Sequence, residues 1–129
     1  MVERLEAIKA KQGARFRHVV IDPKSGAATF IDSLEAAGVT VRQVRMDQHA
    51  RYCAAVFDGF SEGGLWHRGQ LELTDAVAGA RKRTYGDQWL WDRRTPATDL
   101  TPLVSVTLAY GSHLLSDAAQ GAESLVFAY

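Results

Sequence analysis

Three consecutive β-branched apolar residues, Val19-Val20-Ile21, run directly into an acid, Asp22, and then into Pro23. Such a run predicts a short strand buried on both faces, the habit of a parallel strand covered by helices. Pro23 and Gly26 break it. Before it, Val2, Leu5 and Ile8 recur at helical spacing and predict a helix over 2–11, stopped at Gly13. After it, Phe30, Ile31, Leu34 and Ala37 predict a second helix, with Gly38 where a helix C-terminus favours glycine. A second strand follows over 39–44. This strand–helix–strand order makes the chain an α/β domain with at least one parallel strand pair.

The rest of the chain extends the alternation. Asp47 suits the cap of a third helix whose apolar face is Ala50, Cys53, Ala54, Phe57 and Phe60, ended by Gly63-Gly64. Leu65-Trp66-His67 reads as a short extended piece. Leu73, Ala76, Val77 and Ala80 predict a fourth helix finishing in Arg81-Lys82-Arg83. Gln88-Trp89-Leu90-Trp91 predicts a strand with both tryptophans on one face. Asp99 is expected to begin the last helix, with a stripe of Leu100, Leu103, Val104, Thr107, Leu108 and Leu115 and with Pro102 in the first turn. The apolar segment 124–129 is expected to be a strand or a packed terminus. With 129 residues, no repeat and no linker, positions 1–129 read as a single domain.

Fifteen basic and fifteen acidic side chains give a formal net charge of zero, which argues against a whole-molecule electrostatic grip on nucleic acid but not against a local basic patch. The lone Cys53 excludes an intramolecular disulfide and fits a reducing compartment. It is expected in the core. The amphipathic, charged start is unlike a signal peptide. No apolar run approaches the roughly 20 residues that span a bilayer. A soluble, cytoplasmic protein with no membrane partner is expected.

Asp22 and Asp99 carry the chemistry that the pattern suggests. In parallel sheets, ligands gather at the carboxyl ends of strands, where Asp22 stands. Asp99 is placed at a helix start. Two carboxylates converging there would repel one another unless a cation lay between them. Mg²⁺ or Mn²⁺ suits such hard oxygen ligands and retains several waters. A pair of such ions about 4 Å apart activates water and stabilises the leaving oxygen in phosphodiester cleavage. An aspartate after a strand also serves as a turn former, and one at a helix start as a cap. Spacing alone leaves these readings open.

Several segments resemble one family in order and spacing. They are Val20-Ile21-Asp22-Pro23; Leu34-Glu35-Ala36-Ala37-Gly38-Val39; Ala54-Ala55-Val56-Phe57-Asp58-Gly59-Phe60; Leu65-Trp66-His67-Arg68-Gly69-Gln70; Leu73 through Arg83; Gly86-Asp87-Gln88-Trp89-Leu90-Trp91; and Thr98-Asp99-Leu100-Thr101-Pro102-Leu103-Val104. Over roughly residues 10–115 this series resembles the C-terminal nuclease domain of phage terminase large subunits. The resemblance implies a truncated ribonuclease H-like domain, with a short, mostly parallel sheet flanked by helices. It also implies metal-dependent endonuclease chemistry on packaged viral DNA. Asp22 and Asp99 match the second and third acidic metal ligands of that family. Its first acidic strand and its ATPase motor have no counterpart here, so weak or absent cleavage by this chain alone is expected.

The resemblance implies double-stranded DNA as substrate. It also implies the terminase ATPase domain, the small terminase subunit or the portal as partners, in a phage-infected or lysogenic bacterial cell. Arg81, Lys82, Arg83, Arg93 and Arg94 are candidates for contact with DNA phosphates, although the first three equally suit a helix C-terminus. His67 is expected to be structural. His18, His49 and His113 lack zinc-ligand spacing. Trp66, Trp89 and Trp91 are expected to pack in the core rather than stack on bases. A sheet edge left unpaired by missing strands invites other chains, so self-association through that edge or through the apolar tail is expected. The rival readings are another ribonuclease H-like nuclease, of the resolvase or transposase kind, and a non-catalytic fragment that binds terminase or portal partners.

Overall fold

A computed structural model describes residues 2–94, 98–116 and 125–128. The element order is α1 (Val2–Gln12), β1 (Phe16–Ile21), α2 (Ile31–Ala36), β2 (Val41–Gln43), α3 (Met46–Ser61), α4 (Leu71–Gly79), β3 (Lys82–Tyr85), β4 (Gln88–Trp91), α5 (Thr101–Gly111) and β5 (Leu125–Ala128). A 3₁₀ stretch, Gly26–Phe30, leads into α2, and a π-helical turn, Ser112–Ser116, follows α5.

The main sheet has strand order β2-β1-β5, and β1 runs parallel to both neighbours. Its β-branched residues therefore occupy the central strand, buried from both sides, as the uninterrupted apolar run requires. Val19 and Ile21 join Leu5, Leu34 and Val39 beneath α1 and α2. Val20 points the other way, into a core made with Val56, Leu90, Trp91, Leu103 and Leu108. Strict alternation would put Phe16 on the Val20 side. A register irregularity between Phe16 and His18 turns it instead toward Val19 and Ile21. The result is a mixed α/β molecule with helices on both faces of a short parallel sheet.

The chain's own segment Leu125–Ala128 pairs with the side of β1 away from β2. This leaves β2 and β5 at the margins of the sheet. Ser124 and Tyr129, the ends of the tail considered above, lie outside the described residues.

The opposite layer is held together by close contact between α3 and α5. Gly111 allows the Tyr52 ring to lie against the α5 backbone, since a Cβ there would fall 2.2 Å from Tyr52 Cγ. Thr107 accepts a buried hydrogen bond from Trp91 Nε1 (2.9 Å) and donates to the Leu103 carbonyl (2.7 Å), so it fastens β4 to α5. Cys53 is fully buried in this layer, and burial pushes its thiol pKa up to about 11. It is a core residue, as expected.

Several sequence expectations need correction. The fourth helix stops at Gly79, and Lys82 and Arg83 lie on strand β3 rather than at a helix terminus. The cause is the two-residue loop Gly86-Asp87. Gly86 adopts φ +58°, which folds β3 back on β4 as a tight antiparallel hairpin. Helix α3 starts at Met46 and not at an Asp47 cap: Gln48 takes the Arg45 backbone N–H, and Asp47 sits in the first turn paired with Arg45 and Arg51. Trp66 does not join the core. It follows the glycines that end α3 and is 78% exposed. Leu115 leaves the α5 stripe because the π-helical turn carries it to the surface. Trp89 and Trp91 do share a face, with ring centroids 4.8 Å apart and edge-on. Among the described residues no helix is long and apolar enough to cross a membrane.

Candidate functional site

The turn after β1 builds the first wall of the site. Pro23 ends the strand, and the chain then closes through Asp22. Its carbonyl accepts from the Ser25 N–H (3.0 Å) and from Ser25 Oγ (2.8 Å), while its Oδ1 accepts from the Lys24 N–H (2.9 Å). Thus the turn-forming role is real, but it uses only one carboxylate oxygen. The other, Oδ2, faces His49 Nδ1 at 3.9 Å, across from the first turns of α3. Both side chains are largely buried.

Asp22 lies in the wall of a cavity of about 400 Å³. Ser25, Ala27 and Phe30 continue that wall along the connection to α2, and Arg93 enters from the segment after β4. Thr101, Val104 and Ser105 close it from the start of α5. Three chain segments remote in sequence therefore meet at the carboxyl end of the central strand.

Asp99 stands two residues before α5, not as its first residue. It is exposed, and its Oδ1 accepts from the Thr101 N–H (2.9 Å). That places its carboxylate beside the helix turn that lines the cavity. Hydrogen bonding to Thr101 is the main cause holding its pKa below the usual carboxylate value, and Arg93 adds to the effect. The same guanidinium also disfavours protonation of His49, whose pKa lies below 6.5 chiefly because of burial, against the opposing pull of Asp22. Arg93 is thus electrostatically linked both to Asp99 and to the His49 that faces Asp22.

The remaining basic candidates are spread out. Lys82 Nζ sits over the faces of Phe57 (3.9 Å) and Trp89 (4.5 Å), an aromatic shelf at the hairpin. Arg83 is half-buried beside it in β3. The Arg81 carbonyl accepts from Asp92 N–H, and Arg94 N–H donates to Asp92 Oδ1, so both backbones serve the hairpin's end. Of the five, only Arg93 lines the cavity. His67 is structural: its Nδ1 accepts from the Gly69 N–H, and its ring meets Phe60 edge-on.

His49 is the residue that spacing arguments missed. Its contact with Asp22 is made across the fold, and only its position one residue before the inward-facing Ala50 hinted at it. Among the described residues no three carboxylate, imidazole or thiol side chains converge as a complete metal cluster. Oδ2 of Asp22 and the hydroxyls of Ser25, Thr101 and Ser105 are hard oxygen donors. That donor type suits a hard divalent ion, while Asp99 is not among the residues that line the cavity. No family profile, curated protein or solved structure matches the chain.

Proposed function

We propose that the chain is a metal-dependent nuclease module of the terminase type, with a ribonuclease H-like sheet and its working site in the Asp22 cavity. One observation carries the reading: a buried carboxylate at the carboxyl end of the central parallel strand shares its cavity with Arg93 and with Thr101, whose backbone N–H donates to the exposed Asp99 carboxylate. Asp22 and Asp99 would hold Mg²⁺ or Mn²⁺, with a further acidic ligand from another strand or chain. Such an ion supplies Lewis acidity toward a phosphoryl oxygen and a more acidic bound water. Arg93 binds a non-bridging phosphate oxygen. His49 lies beside Asp22, 3.9 Å away and beyond hydrogen-bond reach. Its depressed pKa leaves it neutral near pH 7, so it does not compete with a cation for the carboxylate. Double-stranded DNA is the proposed polymer, with Arg94, Arg81, Lys82 and Arg83 as outlying phosphate contacts, and the terminase motor, small subunit or portal as protein partners.

A second reading has its own support. Trp66 and Leu71 are 78% and 70% exposed near one another in sequence, on the α3–α4 connection and the start of α4. Exposed apolar groups of this size suit a protein contact, so the chain would dock on a partner without cleaving. Mn²⁺ titration followed by electron paramagnetic resonance separates the two. The nuclease reading predicts binding that is weakened at least about tenfold by Asp22→Asn and also reduced by Asp99→Asn. Metal binding indifferent to both substitutions would overturn it.

A further inference from the structure

The cavity lining is of two kinds. One is polar, with Asp22, Arg93 and the hydroxyls of Thr101 and Ser105; the other is apolar, with Val104 and Phe30. A phosphate group needs only the first. Phe30 lines the cavity and is 41% exposed, so part of its ring is open to a ligand. A volume of about 400 Å³ lies in the range of small-ligand sites and takes one nucleotide, not a duplex. A base stacked on both faces within a duplex offers that ring no free face unless it leaves the stack.

We propose that this cavity binds a single unstacked nucleotide, with its phosphate on Arg93 beside Asp22 and its base or sugar against Phe30. This rests on the cavity being the phosphodiester site, and it deepens that reading. The preferred substrate is nucleic acid with an unpaired nucleotide: a strand end, a flap or an extrahelical base. Phe30 is then a specificity-determining residue, since aromatic stacking favours a base without reading its sequence.

The test titrates the intact chain, in EDTA, with thymidine 5′-monophosphate, thymidine and inorganic phosphate, followed by NMR. The monophosphate should bind at least about tenfold tighter than either part alone. Phe30→Ala and Phe30→Leu should each weaken the monophosphate severalfold and leave inorganic phosphate unchanged; two variants guard against a folding artefact. Arg93→Gln should weaken both phosphate ligands. Asp22→Asn should tighten both, because it removes a carboxylate that repels phosphate when no metal is present. A monophosphate that binds no tighter than inorganic phosphate, or that ignores both Phe30 variants, overturns the proposal. Nucleotide binding without Asp22-dependent Mn²⁺ binding would sink the nuclease reading and leave the nucleotide pocket standing. The reverse pattern would sink only the substrate assignment.

Discussion

His49 Nδ1 lies 3.9 Å from Asp22 Oδ2, and both groups are largely buried at the carboxyl end of the central strand. Burial and the neighbouring Arg93 oppose a charge on the imidazole, while Asp22 favours one; burial is the largest influence. His49 therefore rests as a neutral imidazole near pH 7.

This relationship has a pH signature. The folded pKa of His49 lies below its ordinary value of 6.5, so between the two values the unfolded chain binds a proton that the folded chain does not. Stability contributed by His49 is complete above about pH 6.5. It falls as pH drops through that value and levels off below the folded pKa. Urea unfolding from pH 7.5 to 5 should show this decline in the native chain and a smaller one in His49→Gln. Equal slopes in the two proteins would rule the assignment out.

Thr107 is the acceptor for Trp91 Nε1 in a buried layer. Thr107→Val keeps the shape and strands the indole N–H, a loss of about 1–3 kcal/mol in unfolding free energy. An unchanged urea midpoint would show that the indole has another partner.

Gly111 gives a test in which the sign matters. Helix propensity alone makes alanine the better residue by about 0.5–1 kcal/mol. An added Cβ, however, would lie 2.2–2.7 Å from the near atoms of the Tyr52 side chain, where a simple rotation of a flexible tip gives no relief. Gly111→Ala should destabilise by about 1–3 kcal/mol as α3 and α5 are forced apart. A rise in Tm would contradict the close approach.

Cys53 should be inert in the folded chain. With its pKa near 11 and no surface exposure, it offers almost no thiolate at pH 8. A disulfide reagent should label it only as fast as the protein opens, and fully in denaturant. Rapid labelling of native protein would contradict its place in the core.

How far the sequence could be read depended on the range of the forces involved. The β1 run was legible because three β-branched residues followed by an acid and a proline leave few alternatives. The Trp89–Trp91 face followed from strand geometry. The hairpin was obscured because Leu73, Ala76, Val77 and Ala80 keep helical spacing up to a basic cluster that also suits a helix end. The deciding signal was the Gly86-Asp87 loop, where the glycine's positive φ fixes the reversal. Trp66 belongs to an apolar pair too short to show a period, so nothing local revealed its exposure. In the site, Asp22 was legible from its position after a strand. Its pairing with His49 was not, because α3 packs across the sheet end and no sequence interval encodes that contact. Asp99 was expected to open α5 and instead stands two residues outside it, where its carboxylate accepts from the Thr101 N–H.

The central claim is that Asp22 and Asp99 serve one cation at one end of the sheet. Paramagnetic broadening of backbone amide signals by substoichiometric Mn²⁺ locates that ion directly. The account predicts that signals from Asp22, Ser25, His49, Arg93, Asp99 and Thr101 broaden together, and that Asp22→Asn removes the effect from all of them. Broadening around Asp99 that persists in Asp22→Asn, or that never reaches Asp22, would contradict it.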